Sequence, residues 1–275
     1  MTDGALREAR EWWRTELIEI EPGVINVRGY PIAELIGKVR FVDMIWLLLR
    51  GELPTHAQGR LLEAALVAAV DHGPQAPSIA IARMAITTGI GLNNAIASAV
   101  NVLGDVHGGA GQACLELLYE IDRRHSDGVL LDEAVSQVLA HERAAGRRFV
   151  PGFGHRFHPI DPRVAPLEEL VREASREGAV DGRFVAIGRA LESGVSERVK
   201  QTIPMNIDGI TAVVFAELGF AAPLARGLFV LSRSVGILAH AWEQSQQESR
   251  LKGPIPPHFL YAYDGPAERH LERRA

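Results

Sequence analysis

At 275 residues the chain is long enough to bury a sizeable core, as one large domain or two modest ones. Hydrophobic content of 47% against 23% charged residues excludes wholesale disorder, and a net charge of −5 with interspersed signs gives no electrostatic footprint for nucleic acid. The single cysteine, Cys114, rules out an intramolecular disulfide and suits a reducing compartment.

Taken in chain order, the opening MTDGALREAREWW lacks the basic-then-apolar profile of a secretory signal. GVINVRGY at 23–30 is the only segment whose alternation predicts a short hairpin. From there helical periodicity dominates, over 41–50, 58–72, 93–103, 110–121, 131–145, 164–176, 210–218 and 227–248. In 58–72, for example, Leu62, Ala65, Leu66, Ala69 and Val70 fall on one helical face. Pro54 and Thr55 part the first two helices, IDRRHSDG at 121–128 reads as a polar loop, and Gly219 sits where a helix end favours glycine. GPIPP at 253–257 stops the last long helix. The apolar stretch 227–242 is broken by Arg233, Ser234 and His240, so it makes a poor membrane span. The expectation is an all-α, cytoplasmic protein with neither membrane nor nucleic acid as partner.

Five residues carry possible chemistry. Arg233 lies on a helix apolar nearly all round, so its guanidinium should point inward, either to a buried carboxylate in a structural ion pair or as a bidentate clamp for a substrate carboxylate. Asp208 precedes a helix expected to begin near Ile210; it suits an N-cap, and equally a carboxyl exchanging a proton with a weakly acidic carbon. Gly209 beside it should let another molecule approach. His107, followed by Gly108 and Gly109, stands at a junction of two helices, as polar filler or packed close to a ligand. His155 sits among Gly152 and Gly154 with Arg163 downstream; with His158 it forms an H-x-x-H pair, but the loop context does not suit a metal site, and no metal is expected. His72 reads as a helix C-terminal histidine or as a donor to an anion.

Seven segments, met in order over nearly the whole chain, resemble the citrate synthase superfamily: GYPIAELIG at 29–37, LLLRGELP at 47–54, VDHGP, DVHGGAG at 105–111, VPGFGHRFHPIDPR at 150–163, NIDGITAVVFAELG, and LFVLSRSVGILAHAWEQ. Within it the chain most resembles the citryl-CoA lyases, both the short free-standing form and the C-terminal module of ATP-citrate lyase. The resemblance implies an all-α homodimer with a large helical domain, 1–110 and 211–275, and a smaller mobile one, 111–210. It implies Asp208, His107 and His155 as catalytic groups: Asp208 on the acetyl carbon, His107 on the thioester oxygen, His155 on the oxygen of the four-carbon partner. His72, Arg163 and Arg233 would anchor that partner's carboxylates, Val150, Pro151, Gly152, Phe153 and Gly154 would cradle the adenine of coenzyme A, and Arg156 would meet a phosphate. No permanent cofactor is implied; the coenzyme A thioester is the substrate. Where synthases carry an arginine before proline that reaches the neighbouring subunit's site, this chain has Gly253-Pro254, with Arg250 or Lys252 as substitutes. The implied reaction is cleavage of citryl-CoA to acetyl-CoA and oxaloacetate. The alternatives are condensation to citrate or 2-methylcitrate by the same groups run backwards, and a catalytically silent module that binds coenzyme A.

Overall fold

The structure is a computed structural model that describes residues 4, 8, 11–156, 158–247 and 251–271. Three short strands, β1 (Ile18–Glu21), β2 (Val24–Val27) and β3 (Tyr30–Pro31), form one antiparallel sheet in the order β1-β2-β3. Eleven helices follow among the described residues: α1 (Ile32–Leu35), α2 (Phe41–Arg50), α3 (His56–Ala69), α4 (Pro77–Ile86), α5 (Leu92–Val100), α6 (Ala110–Ser126), α7 (Leu131–Ala144), α8 (Val164–Arg176), α9 (Arg183–Val199), α10 (Ile207–Glu217) and α11 (Ala222–Ser245). The all-α expectation holds, with four corrections. The hairpin takes a strand upstream of 23–30, where Ile20 pairs with Ile25. The segment 121–128 is not a loop: α6 runs on to Ser126, because Glu120 binds both Arg123 and Arg124 and satisfies the polar face of the last turns. Helices α4 and α9 were not anticipated. The last long helix ends at Ser245, well before GPIPP.

Packing divides the chain into two compact units, one of residues 1–71 and 103–235, the other of 72–102 and 236–275. This division falls elsewhere than the expected 111–210 domain, which concerns motion rather than compactness.

The first unit is built around α10. Residues 209–216 are buried on every side of it, which is why that stretch is apolar all round rather than amphipathic. It packs against α6 most extensively, and against α3, α8 and α9. Leu62, Leu118, Ile121, Leu191, Val214 and Phe220 are fully buried in the same core. Gly188 makes the α9 contact possible: a Cβ there would lie 2.9 Å from Met205 Cε and from Val213 Cγ2. Glu217, at the end of α10, accepts from the backbone N–H groups of Gly182 (2.8 Å) and Phe184 (2.7 Å), supplying the cap that α9 lacks locally. Gly219 takes φ +68° just past α10, and Arg50 Nη1 donates to its carbonyl at 2.6 Å.

In the second unit α4 packs along α5, and Arg83 fastens α4 to the end of α11. Its guanidinium donates to Gln244 Oε1 (3.1 Å), His240 Nδ1 (2.9 Å) and Gln247 Oε1 (3.3 Å), and pairs with Glu243. By length and composition alone α11 could cross a membrane. Ala225, Leu228, Ser232, Arg233, Ile237 and Ala241 recur at helical spacing along it and are buried, while Leu231, Val235, Leu238 and Trp242 are exposed.

Candidate active site

The site is organised at the N-terminus of α10. Asn206, not Asp208, is the N-cap: its Oδ1 accepts from the N–H groups of Asp208 (2.9 Å) and Gly209 (3.3 Å), which places Asp208 inside the first turn with its carboxyl released from capping. The same asparagine reaches outward. Its Nδ2 donates to the Gly154 carbonyl at 2.6 Å, and its backbone N–H to the Gly152 carbonyl at 2.9 Å. Gly154 N–H donates to the Pro204 carbonyl (2.8 Å), and Phe153 bridges Met205 antiparallel. The 152–154 loop is thus sewn to the segment leading into α10.

Gly209 and Gly152 each let another part of the chain approach closely. A Cβ on Gly209 would fall 2.4 Å from the Gly152 carbonyl oxygen, and one on Gly152, at φ +88°, 2.6 Å from Cys114 Sγ. Likewise Gly108, at φ +106°, lies under Phe229 of α11, 3.1 Å from where its Cβ would be.

Asp161 pins the far end of the same loop. It is 2% exposed and accepts from Arg163 Nε and Nη2, both at 2.8 Å, and from the Ile207 N–H at 3.0 Å. Arg163 therefore meets a carboxylate of this chain first; Nη1 faces the Ala68 carbonyl at 3.4 Å. These contacts hold Asp161 down to about 2 against the upward push of burial. Between the two pinned ends, His155 Nδ1 accepts from the His158 N–H at 3.1 Å, and the two rings lie 4.6 Å apart. With Nδ1 accepting, the neutral ring carries its proton on Nε2.

Arg233 connects the remaining parts. It is 6% exposed, its Nε donates to the Ala69 carbonyl at 3.1 Å, and its guanidinium stands 4.9 Å from the centre of the Phe229 ring, the ring that also covers Gly108. Burial pulls Arg233 below its ordinary value, while Asp71 and Asp208 raise it. Half-buried His107 is pushed down by burial and then by the Arg233 charge, so it is a neutral imidazole near pH 7. Asp208, also half-buried, is pushed up by burial; Arg163 and Arg233 oppose that push and Asp161 adds to it.

The structure thus joins Asp208, His107, Arg163 and Arg233 electrostatically, and ties His155 to Asp208's helix through its loop. Val150 and Gly152 are buried, Pro151, Phe153 and Gly154 half-buried, and Arg156 exposed. His72 lies in the second unit, two residues beyond the helix-capping Val70. Lys252 is exposed and its backbone N–H donates to Thr87 Oγ1 at 2.9 Å; Arg250 lies outside the described residues. Sequence reasoning missed Asn206 and Asp161, and also a basic hollow of about 450 Å³ lined by Arg143, Arg147, Arg148 and Arg198 just ahead of Val150. The dipeptide Arg147-Arg148 was its only visible sign.

Three known proteins are similar to this chain. The citrate synthase of Heyndrickxia coagulans is 30% identical over 235 residues, 84% of this chain and 57% of that one. The citryl-CoA lyase of Hydrogenobacter thermophilus superposes with a TM-score of 0.82 at 28% identity, covering 94% of this chain and 97% of the other. A citrate synthase of Thermoplasma acidophilum, bound to carboxymethyl coenzyme A and oxaloacetate, gives a TM-score of 0.67 at 25% identity over 84% and 58% of the two chains. The chain spans about half the length of the curated citrate synthases it matches. Residues 56–255 match the family described as citrate synthase, C-terminal domain, which covers well over half of the chain. By that match, and by the all-helical architecture it shares with these structures, the chain belongs to the citrate synthase family.

Proposed function

We propose that the protein cleaves citryl-CoA to acetyl-CoA and oxaloacetate. The observation that carries the chemistry is a carboxyl, Asp208, raised by burial at the head of α10 and acted on by the charges of Arg163 and Arg233, the second of which also acts on the neutral imidazole of His107. The likeness to a citryl-CoA lyase, 0.82 against 0.67 for the bound citrate synthase, favours the cleavage direction.

In that reading Arg163 and Arg233 hold the carboxylates of the citryl group and fix its orientation. His155 takes the hydroxyl proton on Nε2. This needs that nitrogen bare and the ring's own proton on Nδ1, so the ring must first leave the His158 amide. As the carbonyl forms, the C–C bond breaks and its electrons flow into the thioester. His107, neutral, donates an N–H to the enolate oxygen. Asp208, protonated, delivers its proton to the terminal carbon and completes the methyl group. Coenzyme A lies along 150–154 with Arg156 near a phosphate, and the basic hollow ahead of Val150 supplies further charge for its phosphates. Residues 111–210 close as a smaller domain, which excludes water from the enolate. A homodimer accounts for the exposed apolar residues Leu231, Val235, Leu238 and Trp242 on α11. A reducing, cytoplasmic setting suits the lone buried cysteine.

The citrate synthases at about 30% identity favour a second reading, condensation with hydrolysis of the citryl thioester. One assay separates the two. Purified protein is given citryl-CoA, with oxaloacetate followed by its reduction, and separately acetyl-CoA plus oxaloacetate, with free thiol and citrate as readouts. Oxaloacetate release without thiol formation supports cleavage. Brisk citrate and thiol production rejects it in favour of the synthase, and tight coenzyme A binding with no turnover in either arm leaves a silent module.

A further inference from the structure

We infer that Asp161 is a positioning residue: its carboxylate fuses Arg163 to the first turn of α10, and so sets both the presentation of Arg163 and the proton affinity of Asp208. Both its oxygens are spoken for. Oδ1 accepts from Arg163 N–H (3.1 Å) and Nε (2.8 Å); Oδ2 accepts from Arg163 Nη2 (2.8 Å) and Ile207 N–H (3.0 Å). A carboxylate offers roughly four lone-pair sites, so this one has none left for a substrate. At 2% exposure it has no solvent to turn to either.

Two consequences follow from the bonding. The fork of Nε and Nη2 is consumed by Asp161, so the planar guanidinium is fixed with Nη1 directed away, toward the Ala68 carbonyl. The bond to Ile207, the residue before Asp208, takes an otherwise orphaned N–H of the α10 N-terminus. Asp161 therefore holds a negative charge beside the catalytic carboxyl and cancels the charge of Arg163 next to it. The charged and titratable groups that face Asp208 are Arg163 from the start of α8, Arg233 from α11, Asp161 from the loop, and the Cys114 thiol from α6. Removing the Asp161 charge leaves the two arginines unopposed, and Asp208 then gives up its proton more readily.

The kinetic half of the test rests on the cleavage reading; the titration half does not. Carboxyl-13C aspartate NMR on the full chain, with the Asp208 signal assigned from Asp208→Asn, follows its midpoint in wild type, Asp161→Asn and Arg163→Gln. The midpoint is expected to fall by about one pH unit or more in Asp161→Asn and to rise in Arg163→Gln. In citryl-CoA cleavage, where Asp208 must be protonated, the limb of kcat that declines with rising pH should move down with it, and Asp161→Glu should restore it in part. If Asp161→Asn does not fold, the rise in Arg163→Gln and the Asp161→Glu profile decide. An Asp208 midpoint unmoved in the folded variants overturns the inference even where turnover falls. Wild type inert toward citryl-CoA while the midpoints move as stated would reject the cleavage reading and leave Asp161's role standing.

Discussion

The contact between Gly209 and Gly152 makes a quantitative test of how the site is held. Alanine at 209 puts a methyl group 2.4 Å from the Gly152 carbonyl oxygen and 2.6 Å from Met205 Cγ. The Met205 side chain can yield; the backbone carbonyl cannot, because it accepts the Asn206 N–H at 2.9 Å. Relieving the clash costs about 1–3 kcal/mol as overpacking, and stretching that hydrogen bond adds about 1 kcal/mol. Alanine returns about 0.5–1 kcal/mol of helix preference. The net expectation is a loss of about 1–3 kcal/mol. The loop moved by the clash carries His155, and a displacement near 1 Å costs on the order of a hundredfold in rate. Gly227→Ala is the control: likewise within a helix, here α11, and exposed, with nothing within 4 Å of its Cβ, it should gain about 0.5–1 kcal/mol. Urea unfolding followed through buried Trp46 measures both, with kcat measured beside it. Gly209→Ala as stable as Gly227→Ala, or with undiminished turnover, would refute the claim that backbone approach at this point builds the site.

Other substitutions separate stability from chemistry. A carboxyl whose folded pKa is raised lends stability below its unfolded pKa and loses it as pH climbs through the folded value. Asp208→Asn should therefore match or exceed wild-type stability at pH 7 in a thermal melt while turnover drops by orders of magnitude; unchanged turnover removes Asp208 from the mechanism. Arg233→Leu should raise KM for the carboxylate substrate far more than it lowers kcat, and a variant that simply unfolds would mark Arg233 as a structural anchor on Ala69. Arg148→Ala should weaken coenzyme A about tenfold by calorimetry, the scale of one charge-assisted hydrogen bond, and flatten its salt dependence; equal affinity would detach the basic hollow from the ligand.

What could be read from the sequence, and what could not, follows one physical line. Amphipathic helices such as α3 and α8 announce themselves, because one face meets solvent and the period shows. Helix α4 hides because Pro77 reads as a breaker when it is in fact at the first helical position, where its missing N–H costs nothing. In α9, Gly188 and Gly194 weaken the helical signal, yet both are required: a Cβ at 194 would meet Val135 Cγ1 at 2.8 Å. Residue types with reactive side chains were likewise visible, so Asp208, His107, His155 and Arg233 stood out. Their supports did not. Asn206 looks like any residue ahead of an aspartate, and Asp161 looks like part of a turn, until the backbone shows that each holds two distant segments together. Gly209 shows the same limit, since the sequence shows that room is left there but not that the Gly152 carbonyl fills it. A close approach of backbone to backbone is written in two places at once, and only folding brings the halves together.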